Sequence, residues 1–438
     1  MTEVQIGLTG MVALLVLIAL RLPIGISLIA VSYTGIWYLM GWNVAWGAVG
    51  VLPYQFSANW VLSSVPNFLL LGFICYHTRL TEGLFRAARI WLANVPGGLA
   101  ISAILGCAGF ASVCGSSVAC SAAMGRIAVP EMMKQRYDAS LATGTVAAGG
   151  TIGALIPPSI IMILYGIIAQ TSVTALFLGG VAVGLLTALS YIIVILIRVK
   201  LNPALAPRGK EHIPMSEKLA ALVEVWPILL VMLGIFTGLF SGVFTATEAG
   251  AVGSGLACVV ALIKGSLTWE RFRDAILETV LTTASLMIIA VGASLLTRFL
   301  ALSDAGTYLS SLVVSLQAST TILLFGIVLV YLLLGMFLEP IGAMLLTLPI
   351  VLPVIKSADL SLVWFGVVLT KLLEIGMITP PIGMNVFVIK GVVGNLISTT
   401  GIFRGIMWFL AADMVVLTMI MVFPGIVTAL PAWFAGSP

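Results

Sequence analysis

Long apolar runs separated by short polar connections dominate the chain. About ten of these runs are long enough to cross a hydrocarbon core of roughly 30 Å as helices. They cover residues 4–20, 24–40, 60–76, 139–168, 173–197, 219–240, 245–263, 280–299, 361–398 and 402–425. Their apolar positions are continuous rather than alternating, which favours helices over a barrel. The pattern therefore predicts an all-α polytopic membrane protein.

Two further apolar stretches, 97–125 and 319–355, are interrupted by small or polar residues. The first contains Gly115, Ser116 and Ser117, and the second contains Glu339, Pro340 and Gly342. Each stretch is long enough for two short spans or for one re-entrant helical hairpin, and we predict the hairpin. Segments 43–58 and 79–94 carry interfacial Trp, Tyr and Arg side chains and predict helices that lie along the membrane surface.

The positions of Lys and Arg indicate the orientation, because these residues collect in short cytoplasmic loops. One cluster precedes the first interrupted stretch and another follows it, so this stretch should enter and leave on the cytoplasmic side. The clusters are Arg79, Arg86 and Arg89, then Arg126, Lys134 and Arg136. Continuing along the chain, the second interrupted stretch should open from the periplasmic side, and both termini should be external.

An internal repeat supports this opposition. The string IGALIPP at 152–158 matches IGMITPP at 375–381, an offset of 223 residues (375 − 152), and the same offset carries Pro130 onto Pro353. We predict two inverted-topology repeats, 1–198 with a cytoplasm-side hairpin and 219–438 with a periplasm-side hairpin, joined by a polar cytoplasmic linker at 199–218. Broken helices at corresponding positions of inverted repeats are typical of secondary transporters, whose binding site lies where the breaks meet.

Composition excludes several other classes of protein. The chain is 61% hydrophobic and only 8% charged, against roughly 25% charged in soluble domains, so it is not a soluble protein. A net charge of +4 without basic runs does not indicate a nucleic-acid partner. We find no HExxH or GxSxG motif, and expect neither an enzyme nor an organic cofactor. A channel is a further alternative, which paired breaks of opposite orientation disfavour.

The five cysteines are interpreted as packing residues. The apolar N-terminal segment lacks a basic n-region and is interpreted as a retained membrane span.

Five long motifs then carry a resemblance to a known family. They are GFASVCGSSVACSAAMGRIAVPEM (109–132), YDASLATGTVAAGGTIGALIPPSIIMILYG (137–166), GVFTATEAGAVG (242–253), GMFLEPIGAMLLTLPIVLPV (335–354) and EIGMITPPIGMNVFVIKG (374–391). Over essentially its whole length the chain resembles the large membrane subunit of the tripartite ATP-independent periplasmic (TRAP) transporters. Two positions depart from the family pattern: Ala246 stands where we expect Pro, and Glu339 where many relatives have Asp.

The resemblance implies a Na⁺-coupled uptake system in the inner membrane of a bacterium or archaeon. In this family a periplasmic solute-binding protein delivers an organic acid, such as a C4-dicarboxylate or a sialic acid, to a small four-helix membrane subunit paired with a large one. An elevator-type motion of the large subunit then moves the acid across the bilayer. The expected partners are those two proteins, the acid and membrane lipid. A stand-alone Na⁺/dicarboxylate carrier of similar fold is the alternative.

Hard cations prefer oxygen ligands, and the freed carbonyls and hydroxyls at the breaks provide them. The predicted Na⁺-site residues are Gly115, Ser116, Ser117, Pro157, Ser159, Glu339, Gly342, Thr379, Pro380 and Gly383, and the predicted substrate residues are Ser117, Thr379, Asn385 and Arg298. Simpler roles remain open: the small residues of the first tip also suit close helix packing, Asn385 an interhelical hydrogen bond, and Arg298 an interfacial pair with Asp304. Glu374 is a second carboxylate placed deep in an apolar run, where such groups mark function.

Overall fold

The computed structural model describes residues 2–207, 213–308, 311, 320–434 and 436, with Phe56 described by its backbone alone. Positions 208–212 of the predicted linker, which include His212, and position 319 at the start of the second predicted hairpin lie outside the described residues. Within the described part the chain is a bundle of α-helices joined by short turns.

The first half contains ten helices, with a short 3₁₀ turn before the fourth (Trp60–Ser63) and another after the eighth (Thr151–Ala154). They are α1 (Glu3–Ala19), α2 (Ile24–Met40), α3 (Trp42–Ser57), α4 (Ser64–His77), α5 (Glu82–Trp91), α6 (Gly98–Cys114), α7 (Ser117–Lys134), α8 (Ala139–Gly150), α9 (Ile160–Ala169) and α10 (Val173–Leu201).

In the second half, ten more helices are described over their full length. They are α11 (Met215–Val223), α12 (Trp226–Phe240), α13 (Ala246–Ile263), α14 (Trp269–Leu302), α15 (Thr320–Phe337), α16 (Pro340–Ser357), α17 (Leu362–Gly376), α18 (Met384–Val393), α19 (Thr399–Val422) and α20 (Gly425–Phe434).

The prediction of an all-helical membrane protein is confirmed. Within the described residues seven helices have the length and apolarity to cross a bilayer, or eight if the pair α11 and α12, bent by 48°, forms one span. Helices α1 and α2 are also apolar, but each has 17 residues and is slightly shorter than those seven. Apolar side chains on the outer faces, such as Leu185, Leu189 and Ile193 of α10, are exposed and suit contact with lipid.

Both interrupted stretches form two helices that meet at a tight turn. Helices α6 and α7 meet at Gly115 and Ser116, and α15 and α16 meet at Leu338 and Glu339. Two of the predicted spans are broken in the middle: 139–168 forms α8 and α9, and 361–398 forms α17 and α18. The sequence pattern therefore located both turns and both breaks.

Some helix bounds differ from the prediction, each for a physical reason. Helix α14 begins at Trp269 rather than near 280, since its polar first turns, with Glu270 and Arg271, form a helix without being apolar. Helix α7 likewise runs beyond 125 to the basic end at Lys134. The short α20 was not predicted, because it follows α19 after a break of only two residues.

The helix bounds recur along the chain at the offset of the sequence repeat. Helices α6 and α7 recur as α15 and α16, and α8 and α9 recur as α17 and α18, each within a few residues of a shift of 223 (340 − 117). Both Pro-Pro bonds, Pro157-Pro158 and Pro380-Pro381, are cis. The opposite membrane orientation of the two halves, and the division at 199–218, stay predictions.

Buried apolar side chains form three clusters. One surrounds the first hairpin and joins α6, α7, α8 and α10 to α18 and α19. A second joins α4, α9, α12 and α13 to α15, α16 and α17. The third holds α1, α2 and α3 against α14. The broken helices α8 and α17 thus belong to different clusters, and the space between the two hairpin tips lies where these clusters adjoin. All five cysteines are free, and four of them are buried.

Candidate functional site

Both hairpin tips border one internal cavity of about 410 Å³, which we call the central cavity. The first tip contributes Gly115 to Ser117, the second contributes Glu339 to Ile341, and α17 contributes Glu374. The rest of the wall is mostly apolar and includes Leu69, Gly72, Phe73, Tyr76, Ala154, Glu278, Thr282 and Met377. The structure therefore brings two widely separated sequence motifs to one place.

The first tip is fixed by a turn and a helix cap. Gly115 ends α6 with a positive φ of 62°, a backbone conformation that suits glycine. Ser116 then begins α7, because its hydroxyl accepts a hydrogen bond from the amide of Ala119 and so satisfies one free N–H of the first turn. The next hydroxyl, that of Ser117, donates to a carboxylate oxygen of Glu374 at 2.5 Å.

The first break packs directly behind this tip. A Cβ added at Gly115 would lie 2.4 Å from the carbonyl oxygen of Pro158, and one added at Gly153 would lie 2.9 Å from the carbonyl oxygen of Ser116. Pro157 is buried, and the buried Ser159 caps α9 by accepting from the amide of Met162. Serine hydroxyls and backbone carbonyls that belong to no helix are therefore close together at the first tip and the first break. Such oxygens suit a hard monovalent cation.

The second tip is capped by a carboxylate. Glu339 begins α16 by accepting a hydrogen bond from the amide of Gly342 at 3.2 Å. At the second break, the hydroxyl of Thr379 donates to the carbonyl of Ile375 and Gly383 adopts a positive φ of 58°. Glu339 therefore borders the central cavity, but Gly342 and the residues of the second break do not line it.

The two breaks differ in exposure. Every side chain from 151 to 160 is buried, whereas Thr379 and Pro380 are half-buried and Pro381 is exposed. Asn385 is buried and its amide donates to the carbonyl of Ala147 at 3.3 Å, while its own oxygen has no hydrogen-bond partner among the described residues. Asn385 thus makes an interhelical hydrogen bond, which was the simpler of the two roles considered for it from the sequence. Its side-chain oxygen remains available to a ligand.

Arg298 is exposed on α14 and does not line the central cavity. Asp304 is also exposed, and no ion pair between the two is found among the described residues. The predicted substrate role of Arg298 stays a prediction that this arrangement does not strengthen.

Glu374, Glu278 and Tyr76 line the central cavity but were not in the predicted site set. Glu374 is fully buried, and within the described part of the chain the oxygen that does not accept from Ser117 has no hydrogen-bond partner. Glu278 borders the cavity and lies 3.4 Å from the imidazole of His77, and Tyr76 completes that side of the wall. The signal for Glu374 was present, since it is a carboxylate in an apolar run, but nothing in the sequence distinguishes Tyr76 from other interfacial aromatics.

A buried polar network joins α10, α17 and α19 beside the first break. The Lys371 ammonium lies 2.5 Å from Asp413, and both side chains are fully buried. Lys371 also donates to the hydroxyl of Thr187, and the hydroxyl of Tyr191 donates to Asp413 at 2.7 Å. The Tyr191 hydroxyl is 2.9 Å from that of Thr151, the first residue of the 3₁₀ turn at the break. The network therefore connects the break to three membrane helices.

Charge in the central cavity is entirely acidic. Glu278, Glu339 and Glu374 line it, while Lys, Arg and His are absent from its described wall. A carboxylate that is desolvated inside a membrane protein is stabilised by a nearby cation. The cavity therefore suits a bound cation better than a lone anion.

Close packing behind the second tip leads to a prediction about Gly376. A Cβ added there would lie 2.6 Å from the Cα of Gly335, so α15 and α17 touch through their backbones. Gly376→Ala is expected to lower the free energy of unfolding by about 1–3 kcal/mol through overpacking, measured as the thermal midpoint in detergent. Gly391→Ala is the control, because a Cβ there meets open space. Equal midpoints for both variants would contradict the close contact.

Fold and site together define a class of protein. A multi-pass helical bundle with two hairpins, two broken helices and a mostly apolar cavity whose wall holds three carboxylates has the organisation of a membrane transporter. The model of the family described as the "Tripartite ATP-independent periplasmic transporter, DctM component" matches residues 11–426. The chain therefore belongs to the DctM family, the large permease component of TRAP transporters.

Similar proteins agree with this assignment. A putative TRAP transporter large permease protein of Haemophilus influenzae is 34% identical over 86% of this chain and 93% of that relative. The C4-dicarboxylate TRAP transporter large permease protein DctM of Pseudomonas aeruginosa is 33% identical over 89% and 90%. The sialic acid TRAP transporter large permease protein SiaM of Vibrio cholerae is 30% identical over 95% and 96%.

A solved structure shows a likeness of fold. The YdaH transporter of Alcanivorax borkumensis superposes with a TM-score of 0.59, at 14% sequence identity, over 85% of this chain and 86% of that one.

Proposed function

We propose that this chain is the transporting subunit of a Na⁺-driven uptake system for an organic acid. The observation that carries the proposal is the convergence of two hairpin tips and three carboxylates on the central cavity. Three acidic groups repel an anionic substrate unless cations neutralise them first. Binding of Na⁺ would therefore create the positive potential that a carboxylate needs, and this dependence is what couples the two solutes.

The first ion site in this proposal is the tip of the first hairpin with the break behind it. Gly115, Ser116 and Ser117 supply carbonyl and hydroxyl oxygens, Pro157 and Ser159 complete the pocket from the break, and the carboxylate of Glu374 balances the charge. Its free oxygen has no other partner among the described residues, so a cation would satisfy a buried polar atom that is otherwise costly.

The second ion site is the symmetry-related tip and break, with Glu339, Gly342, Thr379, Pro380 and Gly383. The oxygen of Asn385, which also lacks a partner among the described residues, and the hydroxyls of Ser117 and Thr379 are proposed to face the substrate. The recurrence of helix bounds at the repeat offset supports two related ion sites.

The motion in this proposal is of the elevator type. The two hairpins and the helices that follow them would slide as a unit past α1, α2 and α14, carrying the ions and the acid from the periplasmic to the cytoplasmic side. The inner membrane of a bacterium is the proposed location. The two inverted repeats would supply the two end states, since exchanging the conformations of the halves exchanges the open side.

Partners follow from the family, in which a large permease works with a small membrane subunit and a periplasmic binding protein. We propose that this chain depends on both. Relatives are named for C4-dicarboxylate and sialic acid, so succinate and N-acetylneuraminate are the first probes for the acid carried here.

A test of Na⁺ coupling is uptake of the two labelled acids by proteoliposomes that contain this chain with its small subunit and binding protein. We expect uptake of one acid only with an inward Na⁺ gradient, and its loss in a Ser117→Ala, Thr379→Ala double variant. Thr379 donates its hydroxyl to a carbonyl one turn earlier, as the exposed Ser285 and Thr418 do, so Ser285→Ala, Thr418→Ala is the matched control.

Two other results of the uptake experiment would contradict parts of the proposal. Uptake that is indifferent to the Na⁺ gradient would contradict the coupling. Na⁺-driven uptake that persists without the small subunit and binding protein would instead favour the stand-alone carrier.

A further inference from the structure

A second cavity adjoins the central one and has the opposite charge. Its volume is about 380 Å³, and we call it the arginine vestibule. Arg79, Arg126 and Arg271 line it together with one acidic residue, Glu82. The vestibule continues into a third cavity of about 750 Å³, which shares Arg79, Glu82, Ile127 and Arg271 with it.

Pairing removes only part of this positive charge. Arg79 lies 3.6 Å from Glu82, so these two side chains neutralise each other. Arg126 and Arg271 take part in no ion pair with any described residue. Arg271 donates to the carbonyl of Ser266 at 2.7 Å, which orients its guanidinium without neutralising it. Two guanidinium groups therefore remain available to an anion.

Tyr76 lines both cavities and marks the place where they adjoin. Its hydroxyl accepts a hydrogen bond from Arg126 at 3.2 Å. The neighbouring His77 lies on the vestibule side and is 3.4 Å from Glu278, which borders the central cavity. An anion passing Tyr76 therefore leaves a wall of three carboxylates and meets two unpaired arginines.

The difference in charge between the two cavities would favour movement of an anion from the central cavity towards the vestibule. By the positive-inside rule, Arg79 before α5, Arg126 of α7 and Arg271 in the first turn of α14 are predicted to lie on the cytoplasmic side, so we expect the vestibule on the side where an imported solute leaves. Once Na⁺ dissociates, the three carboxylates repel a bound acid, while a guanidinium on the far side of Tyr76 attracts it with the geometry that suits a carboxylate.

We propose that the arginine vestibule is a second anion site, an exit station in which Arg126 and Arg271 receive the substrate carboxylate after it passes Tyr76. The proposal rests on the function proposed above. It assigns to Arg126 two alternating partners, the Tyr76 hydroxyl when the vestibule is empty and the carboxylate when it is occupied. The site speeds release, and it takes no part in Na⁺ binding.

The test compares initial rates of Na⁺-driven uptake in proteoliposomes of the complete three-component system, with whichever of succinate and N-acetylneuraminate the wild type transports. Arg126→Gln with Arg271→Gln is expected to lower the maximal rate roughly tenfold, as loss of electrostatic attraction does elsewhere. The half-saturating concentrations of Na⁺ and of external acid should stay unchanged. Arg126→Lys keeps the charge and should retain most of the rate.

Arg136→Gln is the matched control, since Arg136 is exposed just beyond the C-terminal end of α7, the helix that carries Arg126, but lines neither the vestibule nor the larger cavity beyond it. Equal maximal rates for the double variant and this control would overturn the exit station while leaving the proposed function intact. Absence of Na⁺-driven uptake by the wild type would overturn both. Loss of the rate in Arg126→Lys as well, together with elution of the double variant as an aggregate, would mark a structural role and overturn the proposal too.

The phosphate of a lipid headgroup offers the same anionic chemistry as a carboxylate. The comparison is therefore repeated in vesicles of phosphatidylcholine alone and in vesicles that also contain phosphatidylglycerol. A deficit of the double variant that is equal in both lipids supports the exit station. A deficit confined to vesicles with phosphatidylglycerol would assign the arginines to lipid and overturn it.

Discussion

Lys371→Met is expected to lower the free energy of unfolding by about 3–5 kcal/mol, because it leaves the Asp413 carboxylate buried without its counter-ion. Both side chains are fully buried and 2.5 Å apart, so neither charge can be solvated by a small adjustment. Asp413→Leu should cost a similar amount for the same reason. The thermal midpoint of the purified chain in detergent, followed by tryptophan fluorescence, measures the effect.

A double variant separates charge from packing. Lys371→Met combined with Asp413→Leu removes both charges and should recover much of the lost stability, since a buried ion pair is often replaced by apolar groups at little cost. Lys356→Met is the control, because Lys356 is exposed near the end of α16. Single variants as stable as this control would show that the pair is not isolated from water.

Glu374→Gln is expected to raise the half-saturating Na⁺ concentration for uptake more than about tenfold, since a unit charge a few Å from a cation contributes several kcal/mol even at an effective dielectric near 20. Glutamine keeps the shape of the side chain and can still accept from Ser117, so the fold should persist. Ser117→Ala removes one proposed ligand but leaves the charge, and should cause a smaller rise.

The measurement is initial uptake of the transported acid against Na⁺ concentration in the complete system. Glu270→Gln is the control for loss of one carboxylate, because Glu270 is exposed in the first turn of α14. An unchanged Na⁺ dependence in Glu374→Gln would remove Glu374 from the ion site and leave the hydroxyls and carbonyls of the tip to account for coupling.

The sequence predicted the fold in some detail because the signals were local. An apolar run, a Gly-Ser-Ser turn or a Pro-Pro pair limits the conformation of the residues that carry it. The bend between α11 and α12 and the early start of α14 were missed, since they depend on polar helical turns that no apolar pattern marks.

The site was predicted less completely because it depends on contacts between distant segments. The tips at Ser117 and Glu339 were recognised from their local sequence, and both border the central cavity. Lys371 and Asp413 are single ionisable residues in separate apolar runs, and only their pairing across 42 positions gives them a role. The recruitment of Tyr76 and Glu278 to the wall likewise follows from helix packing.

The short helices after the two breaks determine how deep those breaks lie. Helices α9 and α18 contain ten residues each, and ten residues rise about 15 Å, half of a hydrocarbon core of roughly 30 Å. Each helix is therefore long enough to span a single leaflet, and if it does so, the polypeptide before it lies at the midplane, where an unpaired ion is least stable. A cation bound there as we propose would have exchanged its hydration shell for protein oxygens. Its release to either compartment would therefore require movement of a hairpin, and not only diffusion along an open pore.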